Sequence, residues 1–454
     1  MSGPTVVPLV DEGLGNSAYL VDLGDGRALV VDSSRDLRAV RTAADSRGLR
    51  LAFAADTHLH ADFLSGARQL AVTDGASVIA SAAGGREFDH TGLRDGDEVD
   101  LGGLRLRALG TPGHTDEHLA FLLMDDGEPV GVFTGGSLLV GAAARTDLVD
   151  PDRTVELAQA QYRSLRRLAT LPDHVAVWPT HGAGSFCSAP PRAERTSSIG
   201  SEKAANPLLQ APDEGAFVAA LLGSVGSFPP YFLRLAEVNR RGPALLDGAP
   251  SLPLLDPATV ESMLADGAEL VDVRPVREFA DRHVTGSLSI ALRDAFVTWF
   301  GWLAPGDRPL VVVRGEDQDP DEVAWQAVKV GYDNVVGELA GGVDAAAAAG
   351  LPLTGIRLLE PDQVNDGRVL DVRQRSEFAA GHVPGARNVE LGDLPDRSAE
   401  VPAGPVVVMC GHGERAMTAA SLLARVGRAD DVAVVLGGAE DWAAAHDRRL
   451  DTGA

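Results

Sequence analysis

A chain of 454 residues with 45% apolar and 23% charged residues has the composition of an ordinary globular protein, with room for about three domains, each with its own core. Its formal charge of -25, from 40 basic against 65 acidic residues, excludes a general nucleic-acid or anionic-membrane surface, because such partners require the opposite sign. No run approaches the roughly 18 apolar residues of a spanning helix. The start, Met1 to Pro8, has neither a basic nor a long apolar stretch, so no signal peptide is expected.

In chain order, strand-like runs over 16–22 and 28–32 are joined by the turn Gly24-Asp25-Gly26. A helical pattern over 36–47 follows, then an apolar run over 51–56 that leads straight into Thr57-His58-Leu59-His60-Ala61-Asp62-Phe63. Two imidazoles and a carboxylate at alternate positions of a strand-end loop read as part of a metal site. That donor set suits zinc or iron better than magnesium or calcium, whose ligands are mostly oxygen. Strands over 104–109, 119–124 and 129–134 precede a helix over 154–168. Two more histidines follow apolar runs: His114 in Thr111-Pro112-Gly113-His114-Thr115 and His181 in Pro179-Thr180-His181-Gly182. Strands clustered before and between helices predict sheets covered by helices. The stretch 192–243 is mixed and polar around Phe228-Pro229-Pro230-Tyr231-Phe232 and reads as an extension of the first domain, with a linker over 248–253.

The rest of the chain repeats itself. Asp272-Val273-Arg274, Glu278-Phe279, His283 and Gly286 recur as Asp371-Val372-Arg373, Glu377-Phe378, His382 and Gly385, with one offset of 99 residues throughout. Two copies of one α/β domain with a mainly parallel sheet are expected. The second copy places Cys410 directly after the apolar run 405–409, in the loop Cys410-Gly411-His412-Gly413-Glu414-Arg415 that runs into a helical segment. Loop N–H groups, a helix N-terminus and the Arg415 cation would stabilise a thiolate there, and would hold a persulfide or a sulfonate equally well. In the first copy the matching run 309–313 ends in Arg314, followed by Gly315-Glu316-Asp317, so covalent sulfur transfer is impossible. Cys187 and Cys410 are the only cysteines, which is no disulfide framework and points to a reducing cytoplasm.

Over roughly the first 190 residues these motifs resemble the metallo-beta-lactamase superfamily. Its usual pattern is His-x-His-x-Asp-His, a Thr-Pro-Gly-His segment, a bridging aspartate in Thr-Gly-Asp and a last histidine. The resemblance implies a four-layer αββα sandwich with metal held by His58, His60 and His114, and with Asp62 and His181 as further candidate ligands. The sequence departs twice: Phe63 stands at the third histidine and Gly136 at the bridging aspartate. Both losses fall on a second metal, so one ion at most is expected, Fe(II) ahead of Zn(II).

The Cys410 loop, the Asp-Val-Arg segment and Gly381-His382-Val383-Pro384-Gly385-Ala386 resemble the rhodanese sulfurtransferases. The resemblance implies that Cys410 carries sulfane sulfur beside Arg415, with substrate held by the backbone of Gly411, His412, Gly413 and Glu414. As a whole the chain resembles the fused persulfide dioxygenase–sulfurtransferases. Arg145-Thr146-Asp147 resembles a segment of that branch, where a loop-fixing role is expected for Asp147. Cys187, six residues after His181, has two open readings, substrate handling or a buried hydrophobe.

The expectation is therefore a multidomain α/β chain, with a lactamase-like domain over 1–245 and rhodanese-like domains over 256–350 and 356–454. Its reactants would be a low-molecular-weight thiol persulfide, O2, sulfite and thiosulfate. No nucleic-acid or membrane partner is expected, and a homo-oligomer is left open. Two alternatives stay open: a sulfurtransferase with a degenerate metal site, and a mononuclear-metal hydrolase.

Overall fold

The computed structural model describes residues 4–188, 193–365, 369–401, 404–427 and 431–453. The first three residues of the chain start, Arg192 and parts of the 356–454 copy lie outside the described residues. The chain divides into two compact units, Met1–Ala249 with Val328–Gly331, and Pro250–Ala327 with Tyr332–Ala454. No helix among the described residues is long and apolar enough to cross a membrane.

The first unit is built on two six-stranded sheets. One has the order Val6–Asp11, Asn16–Asp22, Arg27–Val31, Arg50–Ala55, Ser77–Ser81, Thr91–Leu93. The other has the order Ser197–Ser198, Ala176–Pro179, Glu128–Gly135, Leu119–Asp125, Leu104–Gly110, Glu98–Asp100. Successive side chains of a strand point to opposite faces, and this alternation sorts the cores. Tyr19 and Val21 join Phe121, Leu123 and Phe133 between the sheets. Leu20 and Val30 instead share the outer core with Val40 of helix Arg38–Asp45 and Leu70 of helix Ala67–Asp74. On the opposite outer face Leu122 and Val177 cluster with Leu165 of helix Thr154–Leu168 and Phe217 of helix Glu214–Ser224. The layers are therefore helix, sheet, sheet, helix.

The mixed stretch after 192 contains the helices Ile199–Ala205, Glu214–Ser224 and Phe232–Arg241. In the last of them only Phe232, Leu235 and Asn239 are buried, one face at helical spacing. This explains why the segment reads as polar.

The second unit contains two five-stranded sheets of the same design. Leu254–Leu255, Val335–Leu339, Leu310–Val313, Glu269–Asp272 and Leu288–Ser289 form one, and Arg357–Leu359, Val432–Val435, Val406–Met409, Val369–Asp371 and Arg387–Asn388 form the other. Every neighbouring pair in both sheets is parallel. Parallel strands buried on both faces read as continuous apolar runs, as Leu310–Val313 and Val406–Met409 do. The two copies meet through Ser289, whose N–H donates to Ser421 Oγ at 3.1 Å, and through an ion pair between Glu269 and Arg425.

Candidate functional site

The strands of the first unit end at a common set of loops. Asp32 follows Arg27–Val31, the histidine loop follows Arg50–Ala55, and Gly136 and His181 follow Glu128–Gly135 and Ala176–Pro179. Asp32 takes a left-handed φ of 53°, uncommon for a residue with a side chain. Its carboxylate accepts from Thr57 N (2.7 Å), Thr57 Oγ1 (2.8 Å), Thr180 Oγ1 and His60 Nε2 (3.2 Å). One buried carboxylate thus ties three strand ends together. From the extension helix, Asn239 Nδ2 donates to the carbonyls of His60 (2.7 Å) and Phe63 (2.8 Å), which fixes the loop from the other side.

Hydrogen bonding sets the tautomer of every candidate histidine ligand. Thr57 Oγ1 donates to Asp32, so it accepts from His58 Nδ1 at 2.9 Å, and His58 Nε2 keeps its lone pair. His60 Nε2 donates to Asp32, leaving Nδ1. His114 Nδ1 donates to the Arg145 carbonyl at 2.7 Å, leaving Nε2. His181 Nδ1 donates to Asn16 Oδ1 at 3.0 Å, leaving Nε2. Anchoring one ring nitrogen so that the other is free is how proteins orient metal-binding imidazoles. His58 Nε2, His60 Nδ1, His181 Nε2 and Asp62 Oδ1 are buried and have no hydrogen-bond partner. Orphaned buried acceptors are rare unless something else satisfies them, and a cation would do so here. The residues fit a metal.

The charges of His58, His114 and Asp62 agree with that fit, whereas that of His60 does not. Burial, reinforced by the neighbouring imidazoles, holds His58 well below its ordinary range and His114 at about 3, so both are neutral as ligation requires. Burial works against the charged form of His60 as well, but the Asp32 carboxylate outweighs it and raises the pKa. For Asp62, burial is outweighed by His181, His60 and Asn16, which hold the carboxyl below its usual range.

Among the described residues, three groups place one ligand atom each within 4.8 Å of one another: His58, His114 and His181; Asp62, His181 and Cys187; and Asp32, Asp56 and His60. Of the sequence-derived set, His58 and His114 share a group with His181, while His60 falls in the group with Asp32 and Asp56; the His58 and His60 rings are 4.2 Å apart and the His58 and His114 rings 4.9 Å apart.

Two substitutions shape the far side. The buried Phe63 ring stacks on His60 at 4.2 Å and contributes no ligand atom. At Gly136 a Cβ would lie 2.2 Å from His114 Cδ2, so no carboxylate fits while that ring holds its position. His118, which no sequence motif singles out, accepts the Gly136 N–H through Nε2 at 3.0 Å and bonds Thr111 Oγ1 through Nδ1 at 2.8 Å. It stacks on His58 but has no nitrogen left for a cation.

Asp147 pairs with Arg145 at 2.7 and 2.8 Å. Since the Arg145 carbonyl anchors His114, this loop-fixing pair reaches the site through the backbone. The Arg145 guanidinium also lies 4.3 Å from the Phe228 ring, which gives the Pro-rich aromatic stretch a contact near the site. Cys187 is fully buried. Burial, and then the nearby Asp62 carboxylate, push its thiol well above the ordinary value.

In the second unit the strand Val406–Met409 delivers Cys410 to a loop closed by Gly413, at φ 110°, from which helix Glu414–Arg425 departs. The Gly413 N–H donates to Cys410 Sγ at 3.1 Å. Arg415 forms a two-pronged pair with Glu377 at 2.7 and 2.9 Å, while His412 is exposed at the loop tip. In the other copy Arg314 takes the place of the thiol and pairs with Glu338, at the wall of a cavity of about 480 Å³.

Comparison with known proteins matches residues 11–181 to the metallo-beta-lactamase superfamily and residues 256–349 and 357–445 to the rhodanese-like domain. A hydroxyacylglutathione hydrolase of Methylococcus capsulatus is 32% identical over 178 residues, 38% of this chain and 64% of that protein. The mitochondrial persulfide dioxygenase ETHE1 of Bos taurus is 31% identical over 188 residues, 39% of this chain and 69% of that protein. The chain thus spans about two thirds of these relatives' lengths. A metallo-beta-lactamase structure from Staphylococcus aureus subsp. aureus COL aligns with a TM-score of 0.64 at 27% identity, covering 74% of this chain and 99% of that one. The chain belongs to the metallo-beta-lactamase superfamily, with persulfide dioxygenases and hydroxyacylglutathione hydrolases among its homologues, and joins that domain to two rhodanese-like domains as a fusion protein.

Proposed function

We propose that this protein oxidises the outer sulfur of a low-molecular-weight persulfide to sulfite and couples that reaction to sulfur transfer through Cys410. The observation that carries the reading is the set of buried imidazoles with fixed tautomers, of which His58, His114 and His181 bring one ring nitrogen each within 4.8 Å of the others. We assign His58, His60 and His114 as the ligands of a single ion, Fe(II) by preference. Iron(II) bound there would supply the O2 and electron-transfer chemistry that no side chain of the site possesses. Overall, persulfide, O2 and water give thiol, sulfite and protons, with four electrons passing from the sulfane sulfur to O2.

The side chains around that ion bind and orient. Asp32, Asn16 and the Arg145 carbonyl hold the imidazoles in register, and burial excludes bulk water from a labile sulfur. We assign Cys187, a buried thiol, to substrate handling. At Cys410 the thiolate attacks the outer sulfur of a persulfide. The S–S bond to the carrier breaks, the carrier leaves as thiolate, and Cys410 becomes the persulfide. Sulfite then takes that sulfur as thiosulfate and regenerates the thiolate. Loop N–H groups and the start of helix Glu414–Arg425 stabilise the anionic sulfur at each stage. Arg415, held by Glu377, adds a fixed cation. We assign the domains as 1–245, 256–350 and 356–454, and the two unpaired cysteines favour the cytoplasm.

The test is metal content and O2 uptake after anaerobic iron loading, with and without His58→Ala. About one iron per chain and persulfide-dependent uptake, both lost in the variant, support the proposal. The crowding of Gly136 by His114 favours a second reading, a sulfurtransferase with a degenerate first site, and an absence of bound iron would select it.

A further inference from the structure

His114 and Gly136, which sit against each other, are hydrogen-bonded by the same side chain. Gln161, on helix Thr154–Leu168, is fully buried. Its Oε1 accepts the His114 N–H at 3.1 Å, and its Nε2 donates to the carbonyls of Gly136 at 3.2 Å and Ser137 at 2.8 Å. A side-chain amide offers two N–H donors and one oxygen acceptor, so every group of this amide has a backbone partner. Its orientation is fixed by the same bonds, because a flipped amide would set its oxygen against two carbonyls. The His114 loop approaches the helix so closely that a Cβ at Gly113, where φ is 146°, would lie 2.3 Å from Gln161 Oε1 and 2.6 Å from its Cα. Glycine meets both demands because it has no Cβ. His118 takes the Gly136 N–H, so Gly136 is gripped through its N–H and its carbonyl at once.

We propose that Gln161 is a positioning residue for the first centre, which sets where the His114 imidazole lies by joining the His114 backbone to the Gly136–Ser137 turn. This rests on the reading of that centre as a metal site. The Arg145 carbonyl anchors one ring nitrogen of His114, but that bond aims the other nitrogen only while the His114 backbone stays in place. Gln161 supplies that constraint from the helix. Ser164 offers a contrast on the same helix: its Oγ donates to the Pro112 carbonyl at 2.7 Å, which steadies the same loop without bonding His114 or Gly136. Without the Gln161 amide, one buried N–H and two buried carbonyls lose that partner, which is costly, and the two loops shift to regain one. The aim of His114 Nε2 shifts with them. Partners that orient a metal-binding imidazole from behind are worth about tenfold or more in metal affinity.

The test compares the full-length protein with Gln161→Met, which keeps the length of the side chain and none of its hydrogen bonds, and with Ser164→Ala. Metal-free samples are titrated with Co(II) against a competing chelator. The second readout is the 15N–1H correlation of the His114 ring in metal-free protein, assigned by its loss in His114→Ala. Both variants should lower the urea midpoint. Only Gln161→Met should weaken Co(II) binding, about tenfold, and shift the His114 ring resonances. A third measurement needs no variant: both Gln161 amide hydrogens, buried and bonded, should persist long after transfer of the wild type to D2O. Rapid exchange of those hydrogens overturns the proposal. So does a folded Gln161→Met protein with wild-type affinity or unmoved His114 resonances, and so do equal losses of affinity in the two variants. A wild type that binds no Co(II) overturns the metal reading of the centre, and the His114 resonances then decide the positioning role alone.

Discussion

The His114 ring occupies the space that any side chain at Gly136 would need: a Cβ built there lies 2.2 Å from His114 Cδ2. His114 is held in that position from behind, through Nδ1 to the Arg145 carbonyl. Gly136→Asp, which would restore the bridging carboxylate of the superfamily pattern, is therefore expected to push His114 off its anchor. Metal affinity should fall about tenfold or more rather than rise, with about 1–3 kcal/mol of lost stability from overpacking. Competitive chelator titration and urea melts measure the two effects.

His118 should behave as a structural neighbour of the centre, because both ring nitrogens are already engaged. His118→Ala leaves the buried Gly136 N–H unsatisfied and opens a cavity beside His58. The expected cost is about 2–4 kcal/mol in urea unfolding, while metal stoichiometry stays that of the wild type. Loss of metal equal to that in His58→Ala would show that His118 ligates.

Asp147 acts at one remove from the site, through Arg145 and its carbonyl. Asp147→Asn should lower metal affinity about tenfold by loosening His114, with little effect on sulfur transfer at Cys410. Chelator competition and thiosulfate:cyanide transfer, run on the same preparation, separate the two.

Glu377 gives the second unit an acid-sensitive contact. Burial alone would raise its pKa, but the Arg415 pair outweighs burial and holds it below the ordinary 4.5. A carboxyl depressed in the folded state contributes stability above its unfolded pKa and loses it as pH falls through the folded value. Wild-type stability should therefore drop as pH falls below about 4.5, and Glu377→Gln should remove that part of the slope while being less stable near neutrality. Denaturant melts at a series of pH values read both.

Much of this was legible in the chain because the informative residues are close together in sequence. His58, His60 and Asp62 lie on one loop, the Cys410 loop is six contiguous residues, and a constant offset of 99 exposes the duplication. The helix over 154–168 was read at its observed limits, since 15 residues carry several full turns of pattern. The edge strands Thr91–Leu93 and Glu98–Asp100 went unread because three residues hold too little alternation. Asp32, Asn16, Thr180 and Asn239 were out of reach for another reason. They arrive from distant strands and a helix, and only folding shows that they fix the imidazole tautomers. Phe63 and Gly136 were visible as departures from the pattern, but the ring stacked on His60 and the ring crowding Gly136 are facts of packing. Cys187 was visible as a thiol six residues after His181, but its burial beside Asp62 and His181 is a fact of packing.

The most direct test of the coupled reaction is the product formed from O2 and glutathione persulfide by iron-loaded protein, compared with its Cys410→Ser variant. The account predicts O2 uptake in both, with thiosulfate as the early product of the wild type and sulfite accumulating in the variant. An absence of O2 uptake by iron-loaded protein, or thiosulfate formed at the wild-type initial rate without Cys410, would contradict it.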